Sequence, residues 1–100
     1  EVTEGMSRPR YDWWGYAKGM IRRYPGAVTA RERRAVSEAV RQTLEMPDGK
    51  ARMKLVDVIF WRRSHTLPGA AALCHVSERT ARRWHTGFVF LVSREFGLME

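Results

Sequence analysis

Between Leu67 and Trp84 the chain reads LPGAAALCHVSERTARRW, and this run constrains the fold more tightly than any other. Its spacing predicts two short helices joined by a tight turn. Ala70 and Ala71 sit where the first helix passes under the second, where a methyl group fits and a larger side chain would pry the pair apart. His75 and Val76 form the turn, with Val76 apolar so that it plugs the gap between the helices. Ser77 is placed to accept a backbone N–H as the N-cap of the second helix. Ala81 and Trp84, three residues apart, share one face of that helix and turn inward. Glu78, Arg79, Arg82 and Arg83 are left pointing outward.

One hundred residues at 44% hydrophobic content suffice for one core and not for two. The formal net charge is +7, from 18 Lys and Arg against 11 Asp and Glu, which favours polyanionic partners through long-range attraction. Arginine far outnumbers lysine, and the guanidinium fork suits phosphates and guanine edges. The single Cys74 excludes an internal disulfide, so a reducing cytoplasm is the expected compartment and Cys74 reads as buried filler. No apolar stretch approaches the roughly 18–20 residues of a membrane span, and the first ten residues, EVTEGMSRPR, do not read as an apolar leader. No membrane partner is expected.

The pattern along the rest of the chain is helical. Residues 1–9 lack periodicity and read as a flexible arm, followed by one helical domain over 10–100. Within it, 10–48 form an N-terminal cover and 50–98 the helix-turn-helix unit. A first helix is expected from Asp12, as N-cap, to Arg23, with Trp13, Ala17, Met20, Ile21 and Tyr24 as its apolar stripe and Pro25-Gly26 as its stop. Thr29 and Glu32 form a capping box that opens the second, which buries Ala35, Val36, Ala39, Val40 and Leu44 and ends at Met46–Gly49. Its outer face carries Arg31, Arg33, Arg34, Arg41, Glu38 and Glu45, a mixed-charge face of the solvated kind. The third helix spans Ala51 to Arg63, with Met53, Val56, Ile59 and Phe60 inward and Leu55, Val58 and Trp61 widening that face. Ser64-His65-Thr66 breaks the pattern before a fourth helix from Leu67 to Cys74. The fifth begins after Ser77 and extends to Phe96, with Gly97 as C-terminal cap. Phe88 to Val92, FVFLV, is compatible with a strand, but Trp84, Phe88, Leu91 and Glu95 continue one helical row. The expected fold is all-α, about five helices, with a C-terminal helix-turn-helix and a long last helix.

The run from Arg52 to Leu98 resembles the RinA/ArpU-type phage transcriptional regulators. The carrying residues are Arg52-Met-Lys-Leu55-Val-Asp-Val, Ser64-His65-Thr66, Val76-Ser-Glu-Arg-Thr-Ala-Arg-Arg-Trp-His85, Phe88 and the close Phe96-Gly97-Leu98. That resemblance implies a small helical protein, active in a bacterial host cell, whose end is similar to the DNA-reading helix-turn-helix of sigma-factor region four. Two departures stand out. His75 occupies a turn position where glycine is common, so a histidine must carry the left-handed backbone. Ala70 offers a thinner core contact than the usual branched residue.

The leading functional expectation is sequence-specific binding of double-stranded DNA. Arg79, Arg82 and Arg83 would grip guanine edges and Glu78 would accept from cytosine. Thr80, Thr86, Lys54, Arg62 and Arg63 would hold phosphates. The bland alternative is a solvated face on which Glu78 pairs with Arg82 one turn away. A phage small-terminase-like DNA-recognition subunit is a second reading in the same class. An interaction module docking on RNA polymerase is a third, because Tyr11, Trp13, Trp14 and Tyr16 crowd one segment with more aromatic surface than one helix face buries. The all-apolar stretch of the last helix admits a homodimer through Phe88, Val89, Val92 and Phe96. No catalytic, metal or cofactor site is expected: His65, His75 and His85 fall on separate elements, Asp57 and Glu78 stand isolated, and HExxH, paired CxxC and glycine-rich phosphate loops are absent. Trp84, Val76, Ala71 and Ile59 are expected in the core. Trp84→Ala should lower the unfolding free energy by about 3–5 kcal/mol in urea titrations.

Overall fold

The computed structural model describes residues 11–98, so the arm expected at 1–9 lies outside the described residues. Five helices follow one another, with no strand among the described residues: α1 (Trp14–Arg23), α2 (Ala30–Leu44), α3 (Gly49–Val56), α4 (Leu67–Leu73) and α5 (Glu78–Phe96). A π-helical turn, Asp57–Trp61, continues α3.

Local chemistry explains most boundaries. Thr29 opens α2 with the full capping box: its Oγ1 accepts from the Glu32 N–H at 3.1 Å, and the Glu32 carboxylate accepts from the Thr29 N–H at 2.9 Å. That carboxylate is buried and also accepts from the Tyr16 hydroxyl and the Arg23 guanidinium, which ties α2 to α1. Those partners, Tyr16 foremost, hold the Glu32 carboxyl below the usual carboxylate range. Thr66 caps α4 and Pro68 lies in its first turn. Gly97, at φ 96°, closes α5, and the Leu98 N–H reaches back to the Ser93 carbonyl at 2.8 Å.

α1 starts at Trp14 rather than at an Asp12 cap. Trp13 stacks on Tyr11 at 4.8 Å, and the Trp14 N–H bonds the Tyr11 carbonyl at 3.2 Å, so a backbone turn replaces the side-chain cap. Leu44, expected inside, is 50% exposed. The inward row of α2 runs Glu32, Val36, Ala39, Thr43, and helical spacing sets Leu44 off that row. Thr43 is buried instead and satisfies its hydroxyl on the Ala39 carbonyl at 2.8 Å. The third helix begins two residues early, after Asp48 turns the chain at φ 60°, and it ends by widening. Arg62 N–H bonds the Asp57 carbonyl five residues back at 2.7 Å, and Arg62 Nε pairs with Asp57 Oδ2 at 2.8 Å.

That widened turn sits where two halves of the core meet. On one side Leu55 and Val58 pack with Ala70, Ala71, Ala81 and Trp84, roofed by Val76 and Cys74. On the other, Val56 and Phe60 join Ala17, Met20, Ile21, Val36 and the C-terminal half of α5. Ile59, half-buried, touches both. Trp61 Nε1 donates to the Ile21 carbonyl at 2.7 Å and pins the turn to α1. Trp84 is 5% exposed, with the Arg52 guanidinium 5.2 Å above its ring.

FVFLV is helical as expected, but its burial within the chain corrects the homodimer surface. Phe88, Val89 and Val92 are buried within the single chain, and Phe96 is covered by Arg31 at 4.3 Å and by Tyr16. Helices α1, α2 and α3 cover Phe88, Val89 and Val92, the side for which a second copy was considered, while Phe90 stays half-buried.

Two glycines give opposite expectations. A Cβ on Gly49 would lie 2.6 Å from the Leu44 carbonyl oxygen and 2.7 Å from that of Thr43, so Gly49→Ala should destabilise by about 1–3 kcal/mol. Gly87 lies exposed inside α5 with nothing within 4 Å of a built Cβ, so Gly87→Ala should stabilise by about 0.5–1 kcal/mol. Thermal melts of the two variants check both signs.

Candidate nucleic-acid interface

The site is built from the turn outward. His75 has φ 59°, the left-handed geometry expected of the turn. Its N–H bonds the Ala72 carbonyl at 3.1 Å and the Val76 N–H reaches the Ala71 carbonyl at 3.0 Å. This is the closure Gly97 makes at the end of α5, with a histidine where glycine costs least. The buried methyls of Ala70 and Ala71 let Val76 fold back against them, and that close approach fixes the angle at which α5 leaves. Ser77 Oγ then accepts from the Thr80 N–H at 3.1 Å and donates to Thr80 Oγ1 at 3.1 Å. Thr80 is therefore engaged in starting the helix and does not project as a free hydroxyl.

With Ala81 and Trp84 inward, the first turns of α5 turn Arg79, Arg82, Arg83 and Thr86 to one side. These four, with Gly87 and Phe90, line an open groove of about 470 Å³. The three arginines are exposed. Glu78 is exposed too, and no Glu78–Arg82 ion pair forms; the pairs among the described residues join Arg23 to Glu32, Arg41 to Glu38 and Glu45, and Arg62 to Asp57. Guanidinium groups left on one face without carboxylate partners among the described residues offer forked donors to an acceptor from outside.

Lys54 and Arg62 do not join this face. They line a separate cleft beside Asp57, Trp61 and Leu73, and Arg62 is held by Asp57. Arg63 is exposed at φ 54° at the end of the widened turn. The expected phosphate set is thus divided: Thr86 beside the arginines, Thr80 in a cap, and Lys54 and Arg62 in another cleft.

Sequence reasoning expected α1 as a helix but left its cations out of the site. Trp14, Lys18 and Arg22 fall four apart and so share a stripe beside the apolar one. α1 packs against α5: Trp14 meets Phe90 edge-on at 5.4 Å, and Trp14 and Lys18 line a cleft of about 300 Å³ with Arg82, His85 and Thr86. The four-residue spacing of two cations was the available signal. Of the crowded aromatics, Tyr11, Trp13 and Trp14 close around Phe90, while Tyr11 and Tyr16 remain 44% and 42% exposed.

His85 lies under these cations. Its ring stacks on Phe60 at 5.0 Å and 12°. Burial, reinforced by Lys18, Arg22 and Arg82, lowers its pKa from the ordinary 6.5 to about 4, so the imidazole is neutral near pH 7. Burial also lowers the Lys18 ammonium and raises the Cys74 thiol, whose sulfur lies 3.6 Å from the Ala51 carbonyl as core filler. No group of three His, Cys, Asp or Glu side chains that could hold a metal occurs among the described residues, and no described helix is long and apolar enough to cross a membrane.

The depressed His85 has a linkage consequence. The unfolded chain takes up a proton near 6.5 that the folded chain refuses until about 4, so stability falls as pH drops through that window. Between about pH 7 and about pH 5 the loss from this group should be about 2 kcal/mol. His85→Gln should flatten the urea-unfolding profile over that range, where carboxylates contribute little.

A scan against protein-family models, a search of curated proteins and a search of solved structures each find no match to this chain.

Proposed function

We propose that this chain is a sequence-specific, double-stranded DNA-binding regulator of transcription, of the phage late-gene activator type, acting in the cytoplasm of a bacterial host. The observation that carries the reading is the arrangement of α4, the left-handed His75 turn and the first turns of α5. It leaves Arg79, Arg82 and Arg83 exposed on one face, without ion-pair partners among the described residues. An α-helix with its side chains is about 10–12 Å across, which matches a major groove about 12 Å wide.

In this reading the arginines take guanine O6 and N7, Glu78 accepts from cytosine N4, and Thr86 holds a phosphate at the groove wall. Thr80 acts indirectly by fixing the start of α5. Base reading falls to α5, and Lys54 and Arg62, which line a separate cleft, drop out of the phosphate set. The resemblance of Arg52–Leu98 to RinA/ArpU-type regulators supports transcription over DNA packaging as the biological setting.

The test is selection of a preferred duplex from a random pool, followed by fluorescence anisotropy across a salt series. A preferred sequence whose affinity falls steeply with salt is the expected result. Arg82→Ala should then cost about 1–3 kcal/mol and relax preference at one base position. Equal, weak binding to every duplex would contradict the proposal.

A further inference from the structure

We infer that α1 forms part of the same interface, and that Lys18 and Arg22, beside Arg82, grip a backbone phosphate flanking the base pairs that α5 reads. This inference rests on the DNA-binding reading above and adds residues and a ligand chemistry to it.

Three observations lead there. The first is placement. α1 packs beside the exposed half of α5: Trp14 touches Phe90, and Trp14 and Lys18 share a cleft with Arg82, His85 and Thr86. A major groove about 12 Å wide admits one helix of about 10–12 Å and not two. When the first turns of α5 enter the groove, α1 must remain outside it, over the sugar-phosphate wall. The residues it then turns toward that wall are those of its Trp14–Lys18–Arg22 stripe.

The second observation is charge. Lys18, Arg22 and Arg82 lie close enough together to act electrostatically on His85 between them, and Arg22 acts on Lys18 as well. None of the three has an ion-pair partner among the described residues. Arg22 acts unfavourably on the Lys18 ammonium, which is half-buried besides. A phosphate converts this repulsion into attraction.

The third is shape and hydrogen-bonding chemistry. The cleft between α1 and α5 has a volume of about 300 Å³, and its walls include Trp14, Lys18, Thr66, Arg82, His85 and Thr86. A neutral imidazole keeps one N–H to donate, and the ammonium and guanidinium groups supply further donors. A phosphodiester oxygen meets donors on several sides there. Non-bridging phosphate oxygens are pure acceptors, and the principal donors of the cleft are of the kind they take.

The experiment uses the full chain and the duplex selected above. Lys18→Ala and Arg22→Ala should each reduce affinity several-fold in moderate salt. Each should also lower the slope of log K against log salt by about one, while the preferred sequence stays the same. Lys50→Ala removes the same charge from a residue that lines none of these clefts, and should change the slope little. Lys18→Ala should melt at or above the wild-type temperature, because it removes a desolvated cation from among like charges. Duplexes carrying one neutral methylphosphonate at each position in turn should reveal a linkage whose neutralisation weakens the wild type but not Lys18→Ala. If the wild type prefers a duplex but Lys18→Ala and Arg22→Ala behave like Lys50→Ala, the α1 contact is wrong and the DNA reading stands. If the wild type prefers no duplex, the DNA reading itself has failed.

Discussion

The structure depends on one constraint: α5 must be buried at one end and bare at the other. From Phe88 to Ser93 it packs against α1, α2 and α3, and five of those six residues are buried. From Glu78 to Thr86 only Ala81 and Trp84 are buried, held by the alanines of α4. A single helix of 19 residues thus serves as the central post of the core and as an exposed presenting surface. The other elements are arranged to satisfy the first role without obstructing the second. The dimer that the apolar run FVFLV admitted is unnecessary for covering Phe88, Val89 and Val92, because the chain buries them itself.

Holding the bare end at a defined angle requires the joint at His75. Its left-handed backbone costs about 1–2 kcal/mol relative to a right-handed one for a residue with a Cβ, and a glycine would avoid most of that. The joint is nevertheless well determined, because the Val76 N–H and side chain both return to α4 while Ser77 starts the next helix. The π turn at Asp57–Trp61 answers a second geometric demand. One helix has to face the helix-turn-helix core with Leu55 and Val58 and the N-terminal core with Val56 and Phe60, and the extra residue in the turn helps it do both.

Much of the fold was legible in the sequence because its signals are local. The Thr29–Glu32 capping box, the Ser77 cap, the Gly97 stop and the alanine pair at 70 and 71 each fix a boundary or a close approach through neighbouring residues. What was not legible depends on partners distant in sequence. The start of α1 is set by the packing of Tyr11 and Trp13 on Phe90, not by the carboxylate of Asp12. The π turn is anchored through Trp61 to Ile21, and Leu44 loses its inward place to Thr43 by less than a third of a turn. The candidate site divides the same way. Arg79, Arg82, Arg83 and Thr86 share a face because helical spacing requires it. Lys54 and Arg62 were grouped with them on charge alone and line another cleft. Lys18 and Arg22 were passed over because their meeting with Arg82 is a tertiary event.

The most direct measurement is backbone amide mapping by two-dimensional NMR as the selected duplex is titrated into the full chain. The account predicts shifts concentrated on the first turns of α5, residues 78–87, and on the flanking stripe of α1 at 14, 18 and 22. The outer face of α2, from Arg31 to Arg41, should remain unmoved. Shifts centred on α2, with α5 silent, would show that the exposed arginines of the long helix are only a solvated surface, and would contradict the account at its centre.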